Sequence, residues 1–345
     1  MIDYLIVGSG LAGIAFAEQA LQNGKSIVVF DNGALQSSRV AGGLYNPVVL
    51  KRFNGVWDAS GQLEAMEEFY ASVEQKLNKQ FHFPMPILRK FHSIEEQNNW
   101  FTASDKPGLA PFLSTKLISK KYNHIDSPFD FGEVLHAGYA DTKSLLESYH
   151  QYLSDNQLLI TETFVHESLI ASENIEYRGL DAKHIVFAEG FGIQANQYFS
   201  HLPLEGTKGE LFIIKAIGLN LDSIIKSGVF IVPLGNDFYK VGATYEWNDK
   251  TETPTEKGKA SLIEMIRETL NCDFEIISHR AGIRPTVKDR KPLLGTHPNH
   301  KNIHVLNGMG TRGVMLAPKM AKMLFEHIEF SSALAPEVDI KRFSV

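Results

Sequence analysis

The sequence predicts an α/β fold in which a doubly wound parallel sheet is joined to a second, antiparallel α+β part. Three observations predict it. The chain opens as strand, turn, helix and strand, "YLIVG", "LAGIAFAEQALQNG" and "SIVVFD". Its strands are short unbroken apolar runs, the pattern of strands covered on both faces. Similar material returns near 140–200 and again at the end, in "IHVLN" followed by "VMLAPKMAKMLFEHI". Between these, "KGELFIIKA", "GVFIVPL" and "DFYKVGATY" alternate as antiparallel strands do.

Taken in order, the first helix is closed by Gly24, a residue suited to the left-handed position after a helix. A loop of small and polar residues, "NGALQSSRVAGGLYNPVVLKRF", leads to a helix predicted over 60–78. There Leu63, Met66, Phe69, Tyr70, Val73 and Leu77 share one face. From 81 to 139 prolines interrupt short segments, and Ser93 with Glu96 forms a capping box for a short helix. "DTKSLLESYHQYLSDN" is an amphipathic helix, and "LLITETFV" and "HIVFAEG" are strands. "GND" at 235–237 is a hairpin turn, and a helix is predicted over 255–270. This layout places one domain in 1–80, 140–205 and 281–345, and a second in 81–139 and 206–280.

At 345 residues and 43% hydrophobic, the chain can fill a substantial core. A net charge of −6 argues against broad electrostatic capture of nucleic acid, though not against a local basic patch. Cys272 is the sole cysteine, which excludes an internal disulfide and a cysteine-rich zinc site and fits a reducing cytoplasm. The apolar N-terminus lacks a basic leader and is broken by glycines, so it reads as mature fold. No run approaches the ~20 apolar residues of a membrane span. A soluble, cytoplasmic protein is expected.

Gly8, Gly10 and Gly13 in "GSGLAG" form G-x-G-x-x-G directly between a strand and a helix. In that setting the first glycine permits the tight turn, the second lets a pyrophosphate approach the backbone, and the third lets helix and strand pack. The helix start, with Leu11 and Ala12, offers free amides and a partial positive charge to phosphates. Asp31, followed by Asn32, ends the next strand, where a carboxylate binds adenosine ribose hydroxyls and repels a 2′-phosphate. A dinucleotide is therefore expected, NAD or FAD. The stretch "NGMGTRGVMLAP" supplies a second glycine-lined helix start at Gly308, Gly310 and Gly313. One ADP moiety does not need two such sites. A flavin does, because a helix N-terminus near its pyrimidine edge stabilises the negative charge of the reduced ring.

These motifs, together with "SSRVAGGLYNPV", "HIVFAEGFG", "GTKGELF" and "AGIRPTVKDRKPLLG", run in order over nearly the whole chain. The sequence resembles the D-amino-acid-oxidase-like FAD-dependent oxidoreductases, which include glycine oxidase and sarcosine oxidase. Within that family "AGGLYNPV" and "GMGTRGVMLAP" are most similar to the oxidase domain of bifunctional tRNA wobble-uridine modifying enzymes. The resemblance implies a Rossmann-like FAD-binding domain with an antiparallel-sheet α+β substrate domain. It also implies noncovalent FAD, since members that attach flavin through cysteine carry it near "AGIRP" and Cys272 lies upstream. Gly42, Gly43 and Leu44 are expected along the diphosphate and flavin, Val165 beside the adenine, and Ala188 and Gly190 on the phosphate side. Gly308, Gly310, Thr311, Arg312, Gly313 and Val314 are expected over the pyrimidine edge. Glu189 departs from the small residue more common before that family glycine.

The chemistry implied is hydride transfer from the carbon beside a neutral amine to flavin, followed by hydrolysis of the imine. No side-chain base is required, so the lack of a Ser–His–Asp set is no objection. Arg284 occupies the family position that binds a substrate carboxylate, and Arg312 lies one place from a second such arginine. Tyr245 and Trp247 are candidate pocket walls. The favoured expectation is a small amine or amino-acid substrate. The alternative is flavin-dependent removal of a carboxymethyl group from a modified wobble uridine, with Lys288, Arg290 and Lys291 and Lys116, Lys120 and Lys121 meeting tRNA phosphates. His297, His300 and His304 are spaced like metal ligands but read as loop surface, and no metal site is expected.

Overall fold

The computed structural model describes residues 1–34 and 37–343; Leu35, Gln36, Ser344 and Val345 lie outside them. Strands Leu159–Ile160, Ile27–Phe30, Ile2–Val7 and Leu180–Phe187 lie side by side in that order, all parallel. The last of them forks. Its first residues pair antiparallel with Ile175–Tyr177, and its last residues pair in parallel with His300–Asn307. Leu293–His297 folds back on the latter as an antiparallel hairpin.

Successive residues of the first strand point to opposite faces of this sheet. Tyr4 and Ile6 pack with helices Leu11–Gln22, Ala59–Leu77, Thr142–Asp155 and Gly313–Phe330. Leu5 and Val7 pack with Phe30, Phe164, Tyr177, Phe187 and Phe199 on the other side. Coverage on both faces is why the strand sequences are continuously apolar.

The second large sheet has the order Glu275–Arg284, Thr207–Lys215, Phe238–Gly242, Phe230–Gly235, Ile224–Lys226, Ile87–Lys90, Phe131–Val134, Leu113–Ile118. It is antiparallel except where Ile224–Lys226 runs parallel to Ile87–Lys90. Glu275–Arg284 pairs with Thr207–Lys215 along its length, so this sheet continues past residue 280 to Arg284. Both fold classes anticipated from the sequence are present, and no helix among the described residues is long and apolar enough to cross a membrane.

Some local expectations hold and others change. Asn236 and Asp237 both take left-handed backbone (φ 50° and 62°), the geometry of a tight two-residue hairpin. Ser93 accepts from the Glu96 amide at 3.2 Å, but the Glu96 carboxylate turns to the His92 amide instead of Ser93, completing only half a capping box. "LLITETFV" is strand only at Leu159–Ile160, because at the sheet edge the Glu162 amide bonds back to the Ile160 carbonyl. The three C-terminal histidines are not loop surface. His297 and His300 close and open paired strands, and His304 is buried (2% exposed) between His184 and Thr296. His304 faces inward because its strand alternates against a covered sheet. Among the described residues no group of His, Cys, Asp or Glu is arranged to hold a metal.

Candidate active site

The parallel strands end together at Val7, Phe30, Phe187 and Asn307, and the sequence-predicted residues follow each of them directly. Gly8, Asp31, Ala188 and Gly308 thus share one edge of the sheet, the carboxyl-end crevice where α/β folds bind ligands. A Cβ on Gly13 would stand 1.9 Å from the Gly8 carbonyl oxygen, so the first helix packs against its own turn only with glycine there. Gly313 lies against Leu11, with its missing Cβ 3.2 Å from the leucine side chain. The two glycine-lined helix starts, some 300 residues apart in sequence, are neighbours.

Asn307 and the turn after it fasten several segments. The Asn307 side chain donates to the Gly190 carbonyl at 2.9 Å and accepts from the Gly308 amide at 2.7 Å. The Gly310 amide donates to the Pro285 carbonyl at 3.0 Å, and Arg312 donates to the Asn46 carbonyl at 3.0 Å. Gly42, Gly43 and Leu44 are thereby joined to the C-terminal turn, and Leu44 pairs with Tyr139. Thr311 is exposed, and Val314 is buried in the helix behind it. At the other end, the Asp31 carboxylate accepts from the Ser9 amide and hydroxyl and from the Gly33 amide. Asn32 is exposed and reaches Thr163 at 3.4 Å. Val165 follows Phe164, whose ring stacks on Tyr177 and meets Phe30 edge-on.

These features fit an extended FAD. Neither Gly10 nor Arg312, the N-cap residues of the first and last helices, caps its helix with its own side chain, so helix-start amides are left for a ligand there. A Cβ at Gly42, Gly190 or Gly310 would meet nothing within 4 Å, so bare backbone borders open space at three points along the crevice.

Arg284 and Arg312 converge on Tyr245. The Arg284 guanidinium lies 4.4 Å from the centre of the Tyr245 ring and donates to the Thr244 carbonyl at 3.2 Å and the Lys208 carbonyl at 3.4 Å. Gly209 makes this placement possible, since a Cβ there would come within 2.0 Å of the guanidinium. Burial lowers the pKa of both arginines, while Tyr245 opposes that shift. Among the described residues neither makes a salt bridge with a carboxylate; their hydrogen bonds go to the main-chain carbonyls of Lys208, Thr244 and Asn46. A structural arginine of the kind that pairs an acid between segments would look different.

Several residues at the site are not singled out by sequence reasoning. Ser38 accepts from the Leu11 amide at the first helix start. His150 bonds Ser9 and, through its other ring nitrogen, Arg39; its pKa is lowered mainly by burial. Lys240 points beneath the loop carrying Gly42, with its ammonium 3.5 Å from the Ala41 carbonyl and 3.4 Å from that of Gly42. Burial lowers its pKa too. Ser38 and Arg39 lie in a quoted motif and were open to recognition. His150 and Lys240 sit on an ordinary helix and strand, and nothing in their local sequence marks them.

Comparison with known proteins follows the same lines. The family model described as FAD dependent oxidoreductase matches residues 3–327. Glycine oxidase of Bacillus subtilis (strain 168) is 23% identical, covering 94% of this chain and 92% of its own. The tRNA 5-methylaminomethyl-2-thiouridine biosynthesis bifunctional protein of Marinobacter nauticus is 22% identical over 94% of this chain, which spans 55% of that protein. Among solved structures, glycine oxidase from Geobacillus kaustophilus superposes with a TM-score of 0.78 at 18% identity, covering 98% of both chains. L-proline dehydrogenase from P. horikoshii gives 0.78 at 16% identity over 99% of this chain and 97% of its own.

Proposed function

The chain belongs to the family of FAD-dependent oxidoreductases, and from that premise we propose that it oxidises the C–N bond of a small amine or amino acid bearing a carboxylate. The observation that carries this reading is the pair of half-buried guanidinium groups, Arg284 and Arg312, the first of them against the Tyr245 ring and both bonded to main-chain carbonyls. A cation largely removed from water and lacking a counter-charge is held at a cost, and an anionic ligand offsets it. Arginine's planar fork suits a carboxylate in particular.

When bound, FAD supplies the acceptor for the hydride leaving the carbon next to nitrogen. The chain's own contribution is to hold the substrate. Arg284 and Arg312 fix the carboxylate and so orient the neighbouring C–H bond. Two cations nearby also disfavour the protonated amine, keeping its lone pair available. Loss of hydride and of one N–H proton leaves an imine, which water hydrolyses to a carbonyl compound and an amine. Gly8 to Gly13 with Asp31 hold the adenosine diphosphate, and Gly42 to Leu44 and Gly308 to Val314 hold the ring. The division of labour is that FAD lies on pieces 1–80, 140–205 and 281–345 and the substrate wall on 81–139 and 206–280, save that strand Glu275–Arg284 belongs to the second sheet throughout. Arg284 reaches across from the second sheet.

Purified protein is expected to be yellow, and anaerobic addition of glycine, N-methylglycine or a D-amino acid to bleach its flavin band. Protein that carries FAD yet is bleached by no member of such a panel sinks the reading.

A second reading, oxidation of an amine carried on RNA, is favoured by a row of ring–cation pairs leading outward from Arg284. Arg290 lies 4.8 Å from the ring centre of Trp247, and Lys291 5.2 Å from that of Trp57. Tyr245 and Trp247 are 59% and 41% exposed, so the faces not covered by Arg284 and Arg290 are available for stacking on bases. Lys120 and Lys121 support it less, being paired with Asp222 and Asp130. Salt-sensitive retardation of tRNA that Trp247→Ala weakens is the expected result; no retardation at low salt removes this reading.

A further inference from the structure

We propose that Lys208 is a positioning residue for the substrate site, clamping the irregular segment that carries Tyr245 and Trp247 against Arg284. The inference rests on reading Arg284 as the carboxylate-binding group. Lys208 lies in the strand Thr207–Lys215 and is fully buried (0% exposed). Its ammonium has three donors, and three acceptors meet them: Asp249 Oδ2 at 2.5 Å, Thr251 Oγ1 at 3.1 Å and the Thr253 carbonyl at 2.6 Å. Hydrogen bonding from Lys208, with help from Thr251, draws the Asp249 carboxyl down to about 2.

The acceptors all lie on residues 249–253, which form neither helix nor strand. The same residue grips the segment nearer Tyr245 through its backbone. Lys208 N–H donates to the Glu246 carbonyl at 2.9 Å, and Glu246 N–H donates to the Lys208 carbonyl at 3.0 Å. That Lys208 carbonyl also accepts from Arg284. One residue therefore touches the guanidinium, the residue beside Tyr245 and the far arm of the segment.

Two residues on, the Glu210 carboxylate accepts from the amide and hydroxyl of Thr255, which caps helix Glu256–Arg267. Lys208 and Glu210 share one face of their strand, so both fasten the same excursion of chain. Removing an ammonium from water costs several kcal/mol, and an apolar side chain of similar length avoids that cost. Its retention here fits a role in fixing one arrangement of the segment.

The test uses the FAD-loaded protein, with acetate as the carboxylate probe and three readouts: bound FAD per chain, acetate affinity from the flavin spectrum, and tryptic cleavage after Lys250. The Lys250 ammonium is itself held by the carbonyls of Gly206 and Trp247, so the intact clamp protects that bond. Lys208→Met is expected to leave bound FAD unchanged, weaken acetate roughly tenfold, and speed cleavage roughly tenfold. Asp249→Ala, at the accessible end of the clamp, is expected to act in the same direction. The double variant should be no worse than about twofold beyond Lys208→Met, because both remove one interaction. Should Lys208→Met fail to fold or lose FAD, Asp249→Ala decides alone. Acetate affinity unchanged in a folded variant, or cleavage no faster, overturns the proposal. Wild-type protein whose flavin spectrum ignores acetate overturns the carboxylate reading instead, and the protease result then judges the clamp by itself.

Discussion

The first and last glycine turns use one backbone device in opposite electrostatic settings. Each follows a parallel strand and opens a long helix whose N-cap residue makes no side-chain cap bond of its own. At the first turn the Asp31 carboxylate bonds Ser9 and Gly33, with the Arg39 guanidinium one residue further back on His150. At the last turn the nearby side chains are the cations Arg312, Arg284 and, beneath the adjoining loop, Lys240. Helix ends supply about half a positive charge in both places. The side chains then decide what each end receives. On the proposed reading, the acid at the first turn selects hydroxyl donors and the clustered cations at the last receive an anion.

The largest effect that tests this contrast is expected at Gly13. Gly13→Val places a side chain where even Cβ would lie 1.9 Å from the Gly8 carbonyl oxygen. Loss of bound FAD, with destabilisation of about 3 kcal/mol or more, is expected from flavin content and thermal melting. Arg284→Met should spare FAD but raise KM for a carboxylate-bearing substrate by about 100-fold, the cost of a charge-assisted pair. If FAD binding fell instead, the last turn would be serving the cofactor alone and the comparison would break. Asp31→Asn is expected to weaken FAD by about tenfold, a hydrogen-bond-sized effect, without changing acetate affinity.

The smallest effect lies away from both turns, at the buried His184–His304 pair. Burial holds the His304 pKa well below its ordinary 6.5, with His184 and His327 adding to the shift. The unfolded chain therefore binds more protons than the folded one below that pH. The resulting stability is present above 6.5 and is lost as pH falls toward the depressed folded value. Melting temperatures recorded downward from pH 7 should decline, and His304→Asn should flatten the slope while leaving FAD content unaltered.

The first glycine turn and its flanking elements were legible because their parts are contiguous. Strand, turn and helix within residues 2–22 form one local unit, and Asp31 closes the next strand. Sheet classes were legible from apolar runs against alternation. The histidines misled for a related reason: spaced like metal ligands, they read as loop surface, yet pairing with Leu180–Phe187 turned His304 inward. Lys208 misleads in the same way, since a lysine in an alternating strand reads as solvent-facing until residues 249–253 fold over it.

By itself, then, the sequence determined the backbone chemistry, two glycine-lined helix starts and the strands feeding them. These depend on dihedral freedom and periodicity over a few residues. Only the tertiary structure decided that Arg284, Arg312 and Tyr245 share one place and that a buried ammonium stands behind them. Those facts rest on strand register and on burial, which join segments distant along the chain and determine the solvation of each charge.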